Sequence, residues 1–166
     1  MIYQAADIKQ ENPLAHYKIL PGKGEIGGYS RVYTCERLND GAKFALKLAK
    51  PKNTAQKTDI VNEIGIMQLG SYDSIVKCEQ AFFYKDRFWI VLELMDGGAL
   101  TSMLEEMLGN YSEAFCKYTL YRTVQGLVDL HRQNIIHRDI KSDNILCKGN
   151  GEIKIADFGF AVMLTK

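Results

Sequence analysis

The hydrophobic period of this 166-residue chain changes at Asp96-Gly97-Gly98, and that change most constrains its fold. Before it, apolar residues alternate in short runs broken by turn signals; after it, they recur at helical spacing. One strand-like run starts at Tyr17 and ends near Leu20, a glycine-dense turn follows (Gly22, Gly24, Gly27, Gly28), and a second run covers Arg31 to Glu36. Asn39-Asp40-Gly41 predicts a hairpin turn, because these residues tolerate positive φ at little cost. The next strand, Lys43 to Leu48, alternates around Phe44, Leu46 and Leu48. After Pro51, Ile60, Ile64 and Met67 mark one helix, which Gly65 weakens by about 1 kcal/mol relative to alanine. Two further strands, Val76 to Tyr84 and Phe88 to Leu94, meet at Lys85-Asp86.

Beyond the glycines, Ala99 to Leu108 reads as a helix. A longer one opens at Ser112, a good N-cap with Glu113 in the first turn. It carries Phe115, Tyr118, Tyr121, Val124, Val128 and His131 on roughly one face. A loop from His137 to Asn144 precedes Ile145 to Cys147, a Gly149-Asn150-Gly151 turn and Ile153 to Ala156. Residues 1 to 15 are polar, contain Pro13, show no sustained periodicity and read as a lead-in. The layout is α+β: a β-rich half with one helix, then a mostly helical half.

Composition narrows the function classes. Lys+Arg 21 against Asp+Glu 20 leaves a net charge of +1, so no global field recruits nucleic acid or an anionic membrane surface. The longest apolar stretch, Phe88 to Met95, is short and contains Glu93, so no bilayer span and no membrane partner is expected. The start lacks the basic end and apolar run of a secretory signal. Cys35, Cys78, Cys116 and Cys147 form no CxxC pair, which suits free thiols in a reducing, cytoplasmic setting.

Three constellations could carry chemistry. Glycine-dense turns join strands in many folds, but this one lies between two strands and precedes Phe44-Ala45-Leu46-Lys47. Exposed backbone N–H groups in such a loop can close over phosphates, and a strand lysine can add a compact positive charge. Glu63 on the following helix is either the counter-charge for Lys47 or a solvated helix residue. His137-Arg138-Asp139-Ile140-Lys141-Ser142-Asp143-Asn144 is sharper. Phosphoryl transfer needs a carboxylate to orient the attacking hydroxyl, a cation near the moving phosphate and an amide oxygen for a metal. Asp157-Phe158-Gly159 adds a second carboxylate suited to Mg2+ beside phosphate oxygens. A DFG tripeptide alone is common; HRDxKxxN followed by DFG at this distance is not expected by chance.

With those residues in view, the chain resembles the eukaryotic protein kinases from Tyr17 to its end. HRDIKSDNIL (His137 to Leu146), DFGF (Asp157 to Phe160), IVNEI (Ile60 to Ile64) and DGGAL (Asp96 to Leu100) are similar to the sterile-twenty, p21-activated serine/threonine type. The resemblance implies a kinase-like bilobal fold, with a lead-in over 1–15, a complete β-rich N-lobe over 16–95 and a partial C-lobe over 96–166. It implies ATP and Mg2+ as cofactors and a protein with Ser or Thr hydroxyls as substrate. Lys47 would contact the nucleotide phosphates with Glu63 as its partner, Asp139 would be the catalytic-loop base, and Lys141 would stabilise the transferred phosphate. Asn144 and Asp157 would hold Mg2+. Gly24, Gly27, Gly28 and Ser30 would form the phosphate loop. Glu93 and Met95 would lie in the hinge that binds adenine through backbone groups, and Val32, Ala45 and Leu146 would contact the ring. Met67, Cys78, His137 and Phe158 match the family's stacked hydrophobic column.

Two departures stand out. Glu25 occupies the first family glycine position, so a shift that uses Gly24 is expected, and Ser30 occupies the third. The chain also ends nine residues after Asp157, before the rest of an activation segment and the later C-lobe helices. The long helix from Ser112 should therefore lose packing on its apolar face. The expected function is an ATP-dependent protein serine/threonine kinase represented by an incomplete catalytic domain. The alternative is a non-catalytic kinase-like module that binds nucleotide or a partner.

Overall fold

A computed structural model describes residues 6–22, 24–27, 30–69 and 72–164. The described chain separates into two compact units: one within Ile2–Leu69 and Lys77–Leu94, the other within Gly70–Val76 and Met95–Lys166. In order the elements are β1 (Tyr17–Ile19), β2 (Glu25–Gly27), β3 (Ser30–Arg37), β4 (Lys43–Ala49), α1 (Thr54–Gln68), β5 (Cys78–Tyr84), β6 (Arg87–Glu93), β7 (Gly98–Ala99), α2 (Leu100–Glu106), α3 (Glu113–Arg132), β8 (Ile135–Ile136), β9 (Ile145–Cys147), β10 (Ile153–Ile155) and β11 (Val162–Met163). The α+β expectation is met.

The first unit is an antiparallel sheet in the order β1-β3-β4-β6-β5, with β2 paired to β3. Alternation along β4 sorts its two faces. Leu46 joins Tyr17, Cys35, Phe82 and Val91 in a buried cluster, flanked by Phe44 and Leu48. Ala45 and Lys47 point the other way, because successive strand side chains take opposite faces. The Asn39-Asp40-Gly41 turn forms as its residues require: Gly41 has φ +72°, and the Asp40 carboxylate accepts from the Ala42 N–H at 3.1 Å. Lys85 and Asp86 both adopt left-handed φ (49° and 58°), the geometry a two-residue hairpin needs to match strand twist. Helix α1 starts at Asn53, whose side chain accepts from the Gln56 N–H at 2.9 Å.

Two features of this unit differ from the sequence reading. The glycine-dense turn contains β2, a three-residue strand invisible to alternation and held by register alone (Glu25↔Val32, Gly27↔Ser30). The lead-in also contains a backbone pairing that the sequence does not show. The Lys9 N–H donates to Ala81 O and Lys9 O accepts from the Phe83 N–H, each at 2.9 Å, so the chain at Lys9 lies parallel to the edge strand β5. Backbone bonds of this kind leave no side-chain pattern to read.

The second unit packs α3 on the β9–β10 hairpin. Ser112 caps α3, accepting from the Phe115 N–H at 3.1 Å. The buried stripe is Thr119, Thr123, Gly126 and Leu130. The face predicted from apolar spacing is the exposed one, with Tyr118, Tyr121, Val124 and Val128 each at least 42% accessible. Close approach decides this: a Cβ on Gly126 would sit 2.8 Å from both Ile155 Cδ1 and Ser74 O. Helix α2 is shorter than the reading of Ala99 to Leu108, because Ala99 pairs with Leu146 in β9 instead. Among the described residues no helix is long and apolar enough to cross a membrane.

Candidate active site

In the first unit, Lys47 Nζ donates to Glu63 Oε1 at 2.5 Å. Lys47 is 16% and Glu63 6% exposed at the side chain, so the pair is largely withdrawn from water. This settles the open choice for Glu63: it is the counter-charge. Val32 and Ile90 sit opposite Lys47 in the neighbouring strands, and Leu92 sits opposite Ala45. Directly opposed residues share a face, so an apolar surface surrounds the lysine. Gly24 has φ +58°, and a Cβ there would meet the Tyr33 ring at 2.7 Å. A side chain there would be strained and would have to displace that ring. Gly27 and Ser30 flank the hairpin tip; Gly28 lies outside the described residues. Glu93 exchanges bonds with Lys77: its carboxylate accepts from the Lys77 N–H at 2.7 Å and its own N–H donates to Lys77 O at 3.0 Å.

In the second unit, two strand pairs clamp two loops. His137 to Asn144 runs from β8 to β9, and Asp157 to Gly159 runs from β10 towards β11. The pairs β8–β11 and β9–β10 hold both ends of each. Ile145 faces Ile155, so Asn144 lies against Ala156, whose N–H donates to Asn144 O at 2.8 Å. Within the first loop, Asp139 Oδ2 accepts from Lys141 Nζ and from Asn144 Nδ2, both at 2.9 Å. Asn144 Nδ2 also donates to Asp139 O at 2.9 Å. The Lys141 ammonium, aided by Asn144, holds the Asp139 carboxyl below the usual range. Asp139 in turn raises Lys141. Both groups are therefore charged at neutral pH.

His137 is buried and stacks edge-to-face with buried Phe158, ring centres 5.0 Å apart. Its Nε2 lies 3.0 Å from the carbonyl of Ala156, which can only accept, so Nε2 carries the proton. Nδ1 then accepts from the Asp139 N–H at 3.3 Å. Burial pushes the imidazole below its ordinary value, consistent with the neutral form. Met67 and Cys78 are buried in the first unit.

The motif glycines and turns have visible causes. Gly97 packs where a Cβ would lie 2.9 Å from Cys147 O, and Asp96 Oδ1 accepts from the Gly149 N–H at 2.8 Å. Met95 is buried, with its carbonyl accepting from the Gly98 N–H at 3.1 Å. Leu146 is half-buried in β9. Arg138 and Asp157 hold left-handed φ of 66° and 61°. Such backbone costs about 1–3 kcal/mol per residue and clusters at functional sites. Sequence reasoning gave Arg138 no role, yet its Nε donates to Phe160 O at 2.7 Å. It also missed Thr101, whose hydroxyl ties α2 to Ser142 at 2.7 Å. Position beside Asp139 was the only signal for Arg138; Thr101 had none.

The donor chemistry of the second unit fits Mg2+. Asn144 commits its amide nitrogen to Asp139, so the oxygen is the atom it can offer a cation. Asp157 is an exposed carboxylate. Mg2+ takes one or two such oxygens and completes its shell with phosphates and water. No cage of three or more His, Cys, Asp or Glu exists among the described residues, and none is required.

Comparison with known proteins agrees with this geometry. The protein kinase domain family matches residues 22–166. The chain belongs to that family. It is 36% identical over 160 residues to serine/threonine-protein kinase pakA of Dictyostelium discoideum, covering 96% of this chain and 13% of pakA. It is 37% identical over 160 residues to pakB of the same organism, covering 96% and 19%. With serine/threonine-protein kinase STE20 of Kluyveromyces lactis it shares 37% over 145 residues, covering 87% and 14%. The kinase chain thus spans under a fifth of the length of each of these relatives.

Proposed function

We propose that this kinase domain transfers a phosphoryl group from ATP to a serine or threonine hydroxyl of a protein. The Asp139–Lys141–Asn144 cluster carries the reading. Asp139 is ionised, and among the described residues both side-chain donors reach Oδ2, which leaves Oδ1 to accept from a substrate hydroxyl. Its lowered basicity suits orienting that hydroxyl better than removing the proton early. Lys141 supplies a positive charge beside the same carboxylate, where negative charge on a moving phosphoryl group would be offset. Mg2+, when bound, would neutralise phosphate charge; Asn144 and Asp157 are the residues that would hold it. Lys47, kept in place by Glu63, would bind phosphate oxygens, and Val32 and Ala45 would meet the adenine ring. The free cysteines are the ground for placing this activity in the reducing cytoplasm.

The test uses the full chain with MgATP and a generic basic protein. Phosphate transfer that Asp139→Asn abolishes is the expected result. Thermal stabilisation by MgATP without transfer, unchanged in Asp139→Asn, would replace this reading with a nucleotide-binding module.

A further inference from the structure

Helix α1 carries Glu63 and buries side chains only along its C-terminal half. Of its fifteen residues only Glu63, Ile64, Ile66 and Met67 are buried, and its first turn is capped by its own neighbours, Asn53 and Gln56. Its last turn is different. Gln68 Oε1 accepts from the Asp7 N–H at 2.8 Å, and Gln68 Nε2 donates to Asp7 O at 3.1 Å. The side-chain amide thereby pairs with the chain 61 residues earlier as one strand pairs with another. One turn back, the same segment passes beside Gly65, where a Cβ would stand at ordinary contact distance, 3.9 Å, from Ala6 Cβ. Two residues beyond Asp7, Lys9 is bonded on both sides to β5, through Ala81 O and the Phe83 N–H. Residues 6–9 thus form a strap whose one end grips the sheet and whose other end grips α1.

We infer that Gln68 is a positioning residue, and that the strap it holds sets Glu63 opposite Lys47. Gln68 lies about 7.5 Å along the helix axis from Glu63, at 1.5 Å per residue, so a sliding or tilting end moves the carboxylate with it. A charge-assisted bond loses its alignment within about 1 Å of displacement. The amide–backbone pair resists that movement because both donors and both acceptors must separate together.

The inference depends on the kinase reading only where catalysis is the readout, so the experiment has two arms, both on the full chain. Asp7→Pro removes the N–H that Gln68 accepts, Gln68→Leu removes the side-chain half, and Gln68→Glu keeps the acceptor but not the donor. In the first arm, amide hydrogen exchange without nucleotide is followed in α1. Asp7→Pro and Gln68→Leu should each speed exchange at residues 60–68 about tenfold while β4 and β6 stay protected, with Gln68→Glu intermediate. Unchanged exchange in α1, or equal acceleration throughout the sheet, overturns the strap. In the second arm, Gln68→Leu should lower kcat about tenfold with a change in KM for ATP of less than about twofold. In a Glu63→Gln background the same change should do nothing further. An equal loss in that background shows that Gln68 does not act through Glu63 and overturns its role. Wild-type chain without Asp139-dependent transfer would remove the kinase reading while the exchange arm still decides the strap.

Discussion

Removing Lys47 should damage folding as well as phosphate handling, and the structure gives the size of the effect. In Lys47→Met the Glu63 carboxylate, 6% exposed, loses its ammonium partner at 2.5 Å. Breaking a buried ion pair from one side costs about 3–5 kcal/mol, because a desolvated charge is left behind. Lys47 is 16% exposed, so water screens part of the interaction and about 2–4 kcal/mol is the expected loss. For a chain of this size about 2–4 °C accompanies each kcal/mol, giving a fall in Tm of about 4–16 °C. The double variant Lys47→Met/Glu63→Leu removes both charges and should recover to within about 1 kcal/mol of wild type. Urea titrations of the three proteins, with m-values compared, measure this directly, and phosphate transfer should be absent from both variants. A single variant as stable as wild type, or a double variant no better than the single, would refute the argument. The practical consequence is that inactivity of Lys47→Met alone does not separate lost chemistry from lost structure.

Three further outcomes follow from named contacts. Gly126→Ala, normally worth about 1 kcal/mol of helix stability, should instead destabilise by about 1–3 kcal/mol, because its Cβ meets Ile155 and Ser74 at 2.8 Å; chemical denaturation reads the sign. Gly24→Ala should lose about 1–3 kcal/mol through φ +58° and the Tyr33 ring at 2.7 Å, seen as a lower Tm. Burial lowers the His137 pKa, so the unfolded chain binds more protons at mildly acid pH. His137 therefore contributes stability that is complete above its unfolded value of about 6.5 and is lost as pH falls through the folded value. In His137→Gln that part of the stability–pH slope below pH ~6.5 should vanish, as denaturation at a series of pH values would show.

Much of the first unit was legible because its signals are local. Asn39-Asp40-Gly41 and Ser112 act within four residues of themselves, and the alternation in β4 separates core from site face without reference to the rest of the chain. In α3 the exposure of the apolar face was expected from the sequence, but the stripe that is buried instead was not, for a non-local reason. Apolar spacing picked Tyr118, Tyr121, Val124 and Val128, whereas the buried stripe follows the small residues Thr119, Thr123 and Gly126 that let β10 come close. The short strands β2, β7, β8 and β11 were also missed, since no apolar run between turn signals marks them and they exist only through their partners.

The order of residue types alone determined which groups can do chemistry: a strand lysine, a helix glutamate, and a loop with carboxylate, ammonium and amide at HRDxKxxN spacing. Covalent neighbours set those identities, so they survive translation into any fold that keeps the loop intact. Tertiary structure decided what those groups are paired with: Glu63 as counter-charge, Nε2 of His137 as the protonated nitrogen, Gln68 tied to a segment that had no pattern of its own. Pairing depends on distances between residues far apart in the chain, and such distances follow from how strands register and helices pack.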